Sequence, residues 1–190
     1  MRLVLLGPPG AGKGTQAQRL AVDLHVPTIS TGDIFRSSIA GGTELGRLAQ
    51  SYLDAGRLVP DQVTNDMVRA RLAEPDCANG FVLDGYPRNV AQARVLDDML
   101  ATLGTKLDRV VELTVDIAEI VDRLHVRAVE QGRSDDTPEV IRHRQEVYIE
   151  QTAPLVNLYS GRGILVKVDG LGSVDEVSAR ISSALAPDEN

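Results

Sequence analysis

Apolar residues gather in short runs along the chain, at positions 3–6, 81–83, 110–115 and 164–168, interrupted only by Glu112, Thr114 and Lys167. Runs that are apolar on neighbouring positions, rather than alternating, are expected of strands covered on both faces. Between them, apolar residues fall on single stripes at helical spacing over 13–24, 45–53, 63–72 and 90–103,. Cap chemistry sharpens the boundaries. Ser173-Val174-Asp175-Glu176 predicts a capping box opening the last helix,. Thr137-Pro138 predicts an N-cap followed by proline at the first helical position, and Asp61 after Pro60 predicts another N-cap. Pro154 falls inside a helical pattern over 139–159 and should kink or break it. Strands alternating with helices predict an α/β fold, doubly wound, with a parallel sheet flanked by helices. In such sheets ligands bind beyond the carboxyl ends of the strands.

Chemistry-bearing motifs fall at those ends. The first run leads into Gly7-Pro8-Pro9-Gly10-Ala11-Gly12-Lys13-Gly14-Thr15, which opens a helix. Backbone N–H groups of such a P-loop point inward at phosphate oxygens, assisted by the helix dipole. The G-x-x-x-x-G-K core alone arises by chance in about one chain in twenty of this length. The strand before it and the helix after it supply the specificity. The hydroxyl residue that usually follows the lysine is replaced by Gly14, with Thr15 next. Magnesium is therefore expected to be held mainly by phosphates and water. Asp84, directly after the run at 81–83, is placed to meet a magnesium-bound water.

Composition narrows the class. Among 190 residues, 43% are hydrophobic and 25% charged, which fits one globular domain spanning 1–190,. A formal charge of −7 argues against nucleic-acid or membrane-surface partners, so anionic ligands would require locally concentrated positive charge,. No apolar run is long enough to span a membrane. Gly7 interrupts the apolar stretch at 3–6, so no signal peptide is expected and a cytoplasmic location is. The single cysteine, Cys77, leaves no disulfide framework and no Cys-rich structural zinc site, and reads as a small buried residue,. His25, His125 and His143 lack ligand spacing and read as solvated. A monomer is expected, since no heptad pattern or long hydrophobic edge is evident.

Taken together, several motifs resemble the adenylate kinase family. They are Gly7 to Thr15 with its G-K-G-T ending, Ser30-Thr31-Gly32-Asp33 with Arg36, and Gly56-Arg57-Leu58-Val59-Pro60-Asp61. Asp84-Gly85-Tyr86-Pro87-Arg88 with Gln92, Arg123-Leu124, Asp135-Asp136 and Thr152-Ala153-Pro154-Leu155 continue the match in order along the chain. The resemblance implies a helical AMP-binding segment over 30–59 and a short lid over 126–136, which lacks the four metal-binding cysteines of some members. Residues 128–132 depart from the family pattern. The family implies Mg²⁺ with ATP, and AMP and ADP as the other nucleotides. It assigns the ATP phosphates to Gly10, Ala11, Gly12, Lys13, Gly14 and Thr15. Arg123 and Arg127 meet ATP, and the Gly172 backbone contacts its adenine. AMP is surrounded by Thr31, Arg36, Arg57, Leu58, Val59, Gly85, Tyr86, Pro87, Arg88 and Gln92. Arg133 and Arg144 bridge the two nucleotides. A cis peptide is expected at Tyr86–Pro87. Gly41-Gly42 and Asp135-Asp136 are possible hinge neighbours.

The implied reaction suits this residue set. A phosphate monoester has a second pKa near 6, so an acceptor phosphate is already ionised at neutral pH. No general base is required, and catalysis reduces to holding two charged phosphates in line and spreading transition-state charge. Lys13 with Arg88, Arg123, Arg133 and Arg144 would do this, arginine forking onto phosphate through a permanently charged plane. Taken without the resemblance, any one of the helix arginines could equally be paired to a neighbouring carboxylate. A UMP/CMP kinase shares the cradle. Thr31 and Gln92 favour AMP over that rival, because pyrimidine-specific relatives carry alanine and asparagine there. A regulatory GTPase would need an N-K-x-D guanine-reading element, which is absent from the chain.

Overall fold

In the computed structural model, residues 1–116, 120, 123–124 and 137–186 are described. Five parallel strands form one sheet: β1 (Arg2–Leu6), β2 (Thr28–Ser30), β3 (Phe81–Asp84), β4 (Arg109–Thr114) and β5 (Leu165–Asp169), in the order β2-β3-β1-β4-β5. The helices are α1 (Lys13–Leu24), α2 (Thr31–Ala40), α3 (Glu44–Asp54), α4 (Asp61–Leu72), α5 (Val90–Thr102), α6 (Pro138–Val147), α7 (Pro154–Gly161) and α8 (Val174–Leu185).

The consecutive apolar pattern is explained by the two faces of the sheet. Leu3 and Leu5 join Val82, Val111 and Leu113 against α1 and α8, where Leu20, Val177 and Ile181 meet them. Val4 and Leu6 point the other way, with Phe81, Leu83 and Val110, against Leu96 and Leu100 of α5 and Leu155 and Tyr159 of α7. A strand buried on both sides leaves few positions for a polar residue, and such residues fall in β4 and β5, at Arg109, Glu112, Thr114, Lys167 and Asp169,. A smaller core stands apart, with Phe35 of α2 and Ala49 of α3 packed on Val59. The α2–α3 crossing is close: a Cβ on Gly46 would lie 2.2 Å from the Ser38 carbonyl oxygen.

Several boundaries differ from the sequence expectation. β2 and α2 were not legible in the hydrophobic pattern. β2 has three residues, with Ile29 its one fully buried position. α2 is entered through Ser30, whose hydroxyl accepts from the Asp33 N–H at 3.3 Å. Asp61 is the first residue of α4 rather than its cap; Pro60 takes the cap position, with no side-chain bond to the helix. The Asp61 carboxylate instead accepts from Asn89 and Gln92 across the gap to α5. Pro154 has its expected effect in a specific form. The chain widens into a π-helical turn at Tyr148–Thr152, with Ala153 N donating to Tyr148 O at 2.9 Å, and α7 starts afresh at Pro154. Proline has no N–H, and its ring excludes the carbonyl four residues back, so the turn before it must be rearranged. The caps at Thr137 and Ser173 form as expected, the latter as a full capping box.

Candidate active site

A cavity of about 670 Å³ opens at the carboxyl edge of the sheet, in the size range of small-ligand sites,. Its floor is the loop from β1 to α1. Gly7, Gly10 and Gly12 adopt φ of 145°, 90° and 89°. At Gly7 a Cβ would stand 2.7 Å from the Leu113 carbonyl oxygen of β4, and at Gly10 2.9 Å from Ile120. Only glycine fits both the conformation and the space. α1 begins after Gly12 with no side-chain cap and no acid in its first turn, which leaves its N-terminal N–H groups available to an anion,. Lys13 Nζ donates to the Gly7 and Pro8 carbonyl oxygens at 2.7 and 2.9 Å, which holds the ammonium over the loop. Asp84 Oδ2 faces the same loop. A Cβ on Gly14 would lie 3.5 Å from it, at van der Waals contact.

The demand for concentrated positive charge is met here. Among the described residues, Lys13, Arg36, Arg57, Arg88, Arg123 and Arg144 line the cavity, against the two carboxylates of Asp33 and Asp84. A chain of charge −7 thus turns a cationic face inward,. Arg36 folds back over Gly32 and pairs with Asp33. Arg57 lies over the Tyr52 ring, 5.2 Å from its centroid,. Arg88 Nε donates to the Gly85 carbonyl at 2.9 Å. Arg123 Nη1 donates to Gly170 O at 3.0 Å. Gly56, just before Arg57, touches α6: a Cβ there would lie 3.0 Å from Val140 Cγ1 and 3.1 Å from Arg144 Cγ.

The cavity wall also contains Gly10, Ala11, Gly12, Gly14, Thr15, Leu58, Gly85, Pro87 and Gly172. Thr31, Val59, Tyr86 and Gln92 do not line it; they are buried just behind. Thr31 Oγ1 donates to Gly85 O at 3.0 Å. Tyr86, whose bond to Pro87 is cis, donates its hydroxyl proton to Asn65 Oδ1 at 2.7 Å. Burial, aided by the nearby Asp61 charge, pushes its phenol well above the ordinary tyrosine range,. Arg127, Arg133 and the 126–136 segment lie outside the described residues, as do His125, Asp135 and Asp136.

Three supporting residues had no role in the sequence reading. Thr152, on the π turn, donates its hydroxyl proton to the Arg88 carbonyl at 2.7 Å. Gln145 Nε2 donates to Pro9 O at 3.0 Å and ties α6 to the phosphate loop. Tyr148 lines the cavity, its phenol pushed up to about 12 by burial and by the Glu112 charge. Thr152 belongs to the quoted Thr-Ala-Pro-Leu match, but nothing local in a sequence tells which backbone a buried hydroxyl will find. Among the described residues, no three His, Cys, Asp or Glu side chains are grouped to hold a metal. None of the described helices is long and apolar enough to cross a membrane.

The arrangement joins an open helix N-terminus to a second group of cations in one cleft, the apparatus for holding two phosphate-bearing ligands. Comparison with known proteins agrees. A family model described as adenylate kinase matches residues 5–164. The chain is 61% identical over 185 residues to an adenylate kinase of Thermobifida fusca (strain YX), covering 97% of this chain and 98% of that one. It is 61% identical over 184 residues to an adenylate kinase of Kocuria rhizophila, with 97% and 98% covered. An adenylate kinase of Stenotrophomonas maltophilia (strain K279a) is 57% identical over 185 residues, with 97% and 99% covered.

Proposed function

The chain belongs to the adenylate kinase family, and on that basis we propose that it catalyses reversible, Mg²⁺-dependent phosphoryl transfer from ATP to AMP, giving two ADP. The observation that carries the proposal is the joining of two anion sites in one cavity. One is the cradle of Gly10 to Thr15 with Lys13; the other is the cation group of Arg36, Arg57 and Arg88. A protein that only bound or hydrolysed ATP would have no use for the second.

In this reading the cradle binds the ATP phosphates and the Arg36–Arg57–Arg88 side accepts the AMP phosphate. The bond between the γ-phosphorus and its bridging oxygen breaks as an AMP phosphate oxygen bonds to that phosphorus in line. Lys13, Arg88, Arg123 and Arg144, with Arg133 from the lid segment, spread the charge of the transferring group. Arg123 and Arg127 hold ATP on its outer side, and the Gly172 backbone meets its adenine. The acceptor is already ionised, so no side chain has to remove a proton. The role this reading gives to residues 126–136 is that of a lid, whose use would be to keep water, a competing acceptor, away.

Magnesium fits the residues present. Asp84 offers hard carboxylate oxygens beside the cradle, and Gly14 leaves room next to them for a hydrated ion,. Asp84 would hold the metal through water. When bound, Mg²⁺ neutralises phosphate charge and orients the donor. The remaining proposals are a single domain with an AMP-binding segment over 30–59, a monomeric state and a cytoplasmic role in adenine nucleotide balance.

A coupled assay with Mg²⁺ and ATP, offering AMP, CMP, UMP and GMP separately, tests the proposal. Rapid ADP formation with AMP alone is expected. Preference for UMP or CMP would overturn the acceptor assignment, and ATP hydrolysis without transfer would overturn the transferase reading.

A further inference from the structure

Behind the cavity wall, the Gln92 side chain is held at both ends of its amide. Its Oε1 accepts from the Arg88 backbone N–H at 2.7 Å, and its Nε2 donates to Asp61 Oδ1 at 2.8 Å. Asp61 is fixed in turn by Asn89 Nδ2, 3.1 Å from each carboxylate oxygen, and Asn89 Oδ1 accepts from Gln92 N at 2.8 Å. Gln92 is only 2% exposed, so water cannot replace a partner that is lost,.

The chemistry of the two partners permits a single orientation of this amide. A backbone N–H can only donate, and an ionised carboxylate can only accept. Turning the amide over would set NH₂ against N–H and oxygen against carboxylate. Once both bonds are made, Oε1 retains one lone pair and Nε2 one N–H. What the amide can still offer a ligand is an acceptor on Oε1 and a donor on Nε2, and their order is fixed.

We infer that Asp61 is a specificity-determining positioning residue, which locks Gln92 so that the acceptor site takes amino-bearing bases and rejects oxo-bearing ones. Adenine presents an amino donor beside a ring nitrogen acceptor and matches the locked edge. Hypoxanthine and guanine present a carbonyl beside a ring N–H, and both contacts are reversed. Cytosine has the adenine polarity and uracil the opposite one, so the lock sorts amino from oxo, while pocket size sorts purine from pyrimidine. The inference rests on the family reading that sets Gln92 at the AMP base, and it requires that base to reach past the Gly85–Arg88 wall to the side chain behind it.

The test compares AMP with IMP, which differ at the amino-to-oxo edge and are otherwise alike, in the wild type and in Asp61→Ala, Asp61→Asn and Gln92→Leu. The wild type should prefer AMP by roughly 10³-fold or more in kcat/KM. Asp61→Ala should lower that ratio about tenfold or more, chiefly through KM for AMP, since one of two restraints on the amide is gone. Asp61→Asn keeps an acceptor oxygen for Nε2 and should restore the ratio to within about threefold of the wild type. A loss of general fold quality would lower both substrates together and leave the ratio alone. An unchanged ratio in Asp61→Ala, with a collapsed ratio in Gln92→Leu, overturns the lock and leaves base reading by Gln92 standing. An unchanged ratio in Gln92→Leu, or no AMP preference in the wild type, overturns base reading itself. Should Asp61→Ala not fold, Asp61→Ser, one bond too short to reach Gln92, takes its place with the same expected drop.

Discussion

Thr152 donates its hydroxyl proton to the carbonyl oxygen of Arg88 at 2.7 Å, so the π turn before α7 fixes the backbone that carries the central arginine of the cavity. Thr152 is 93% buried, and the bond has no solvent to fall back on. Replacing Thr152 with valine keeps the shape and removes the donor. That should cost about 1–2 kcal/mol of stability and raise KM for AMP more than it lowers kcat. Thr152→Ser should recover most of both. Denaturant unfolding beside steady-state kinetics checks this, and equal behaviour of the two variants would refute it.

Arg88 itself should be the most sensitive arginine. Arg88→Ala is expected to lower kcat by about 10³-fold or more, as for other arginines that stabilise a transferring phosphoryl group. Arg88→Lys keeps the charge but loses the fork, and should recover only a small part of the loss. Single-turnover measurements separate this from product release. A loss of tenfold or less in Arg88→Ala is incompatible with the assigned role.

The α2–α3 crossing gives a prediction about stability alone. A Cβ at Gly46 would meet the Ser38–Ile39 backbone at 2.2–2.5 Å, and backbone cannot step aside as a flexible side chain can. Gly46→Ala should destabilise by about 2–3 kcal/mol despite its better helix propensity. For a chain of this size that is a fall in Tm of roughly 5–10 °C by calorimetry. No change, or a rise, would mean that the crossing yields freely.

Alkaline pH should weaken the fold. Burial pushes the Cys77 thiol up to about 11 from 9.0 and the Tyr148 phenol up to about 12 from 10.0, and it pushes Tyr86 and Tyr159 further up. Above pH 9 the unfolded chain therefore releases protons that the folded chain retains. The unfolded state then binds fewer protons, and stability falls as pH rises. Urea midpoints measured from pH 7 to 11 should hold steady at first and then drop. Phenolate absorbance of the folded protein should lag behind that of the unfolded chain.

Some of this was legible in the chain and some was not, for physical reasons. β1 and β3 show as apolar runs because the core needs both of their faces. β2 does not, since a three-residue edge strand with one buried position carries almost no pattern. α2 begins Thr31-Gly32-Asp33 and contains two serines, a composition that also suits a loop, and it becomes helical through its Ser30 cap and the packing of Phe35,. The phosphate cradle is contiguous and was readable whole. The cation group is not, because Arg57, Arg88 and Arg144 are brought together only by the fold; the family resemblance, rather than spacing, pointed to them. Asp61 shows the limit most clearly. Next to a proline at a helix start, a carboxylate looks like a cap, yet its partners lie 28 and 31 residues ahead.

Lys13 illustrates what the resting loop contributes. Its ammonium sits on the Gly7 and Pro8 carbonyls of the loop between β1 and α1. Under the proposed function, an arriving nucleotide would be met by an exchange of partners, dipoles for full charge, and a departing one would leave the cation somewhere to return to. For the reversible transfer proposed, letting go would count as much as holding on. A cation with no such berth would give up more on parting from any anion, and the loop carbonyls offset part of that cost.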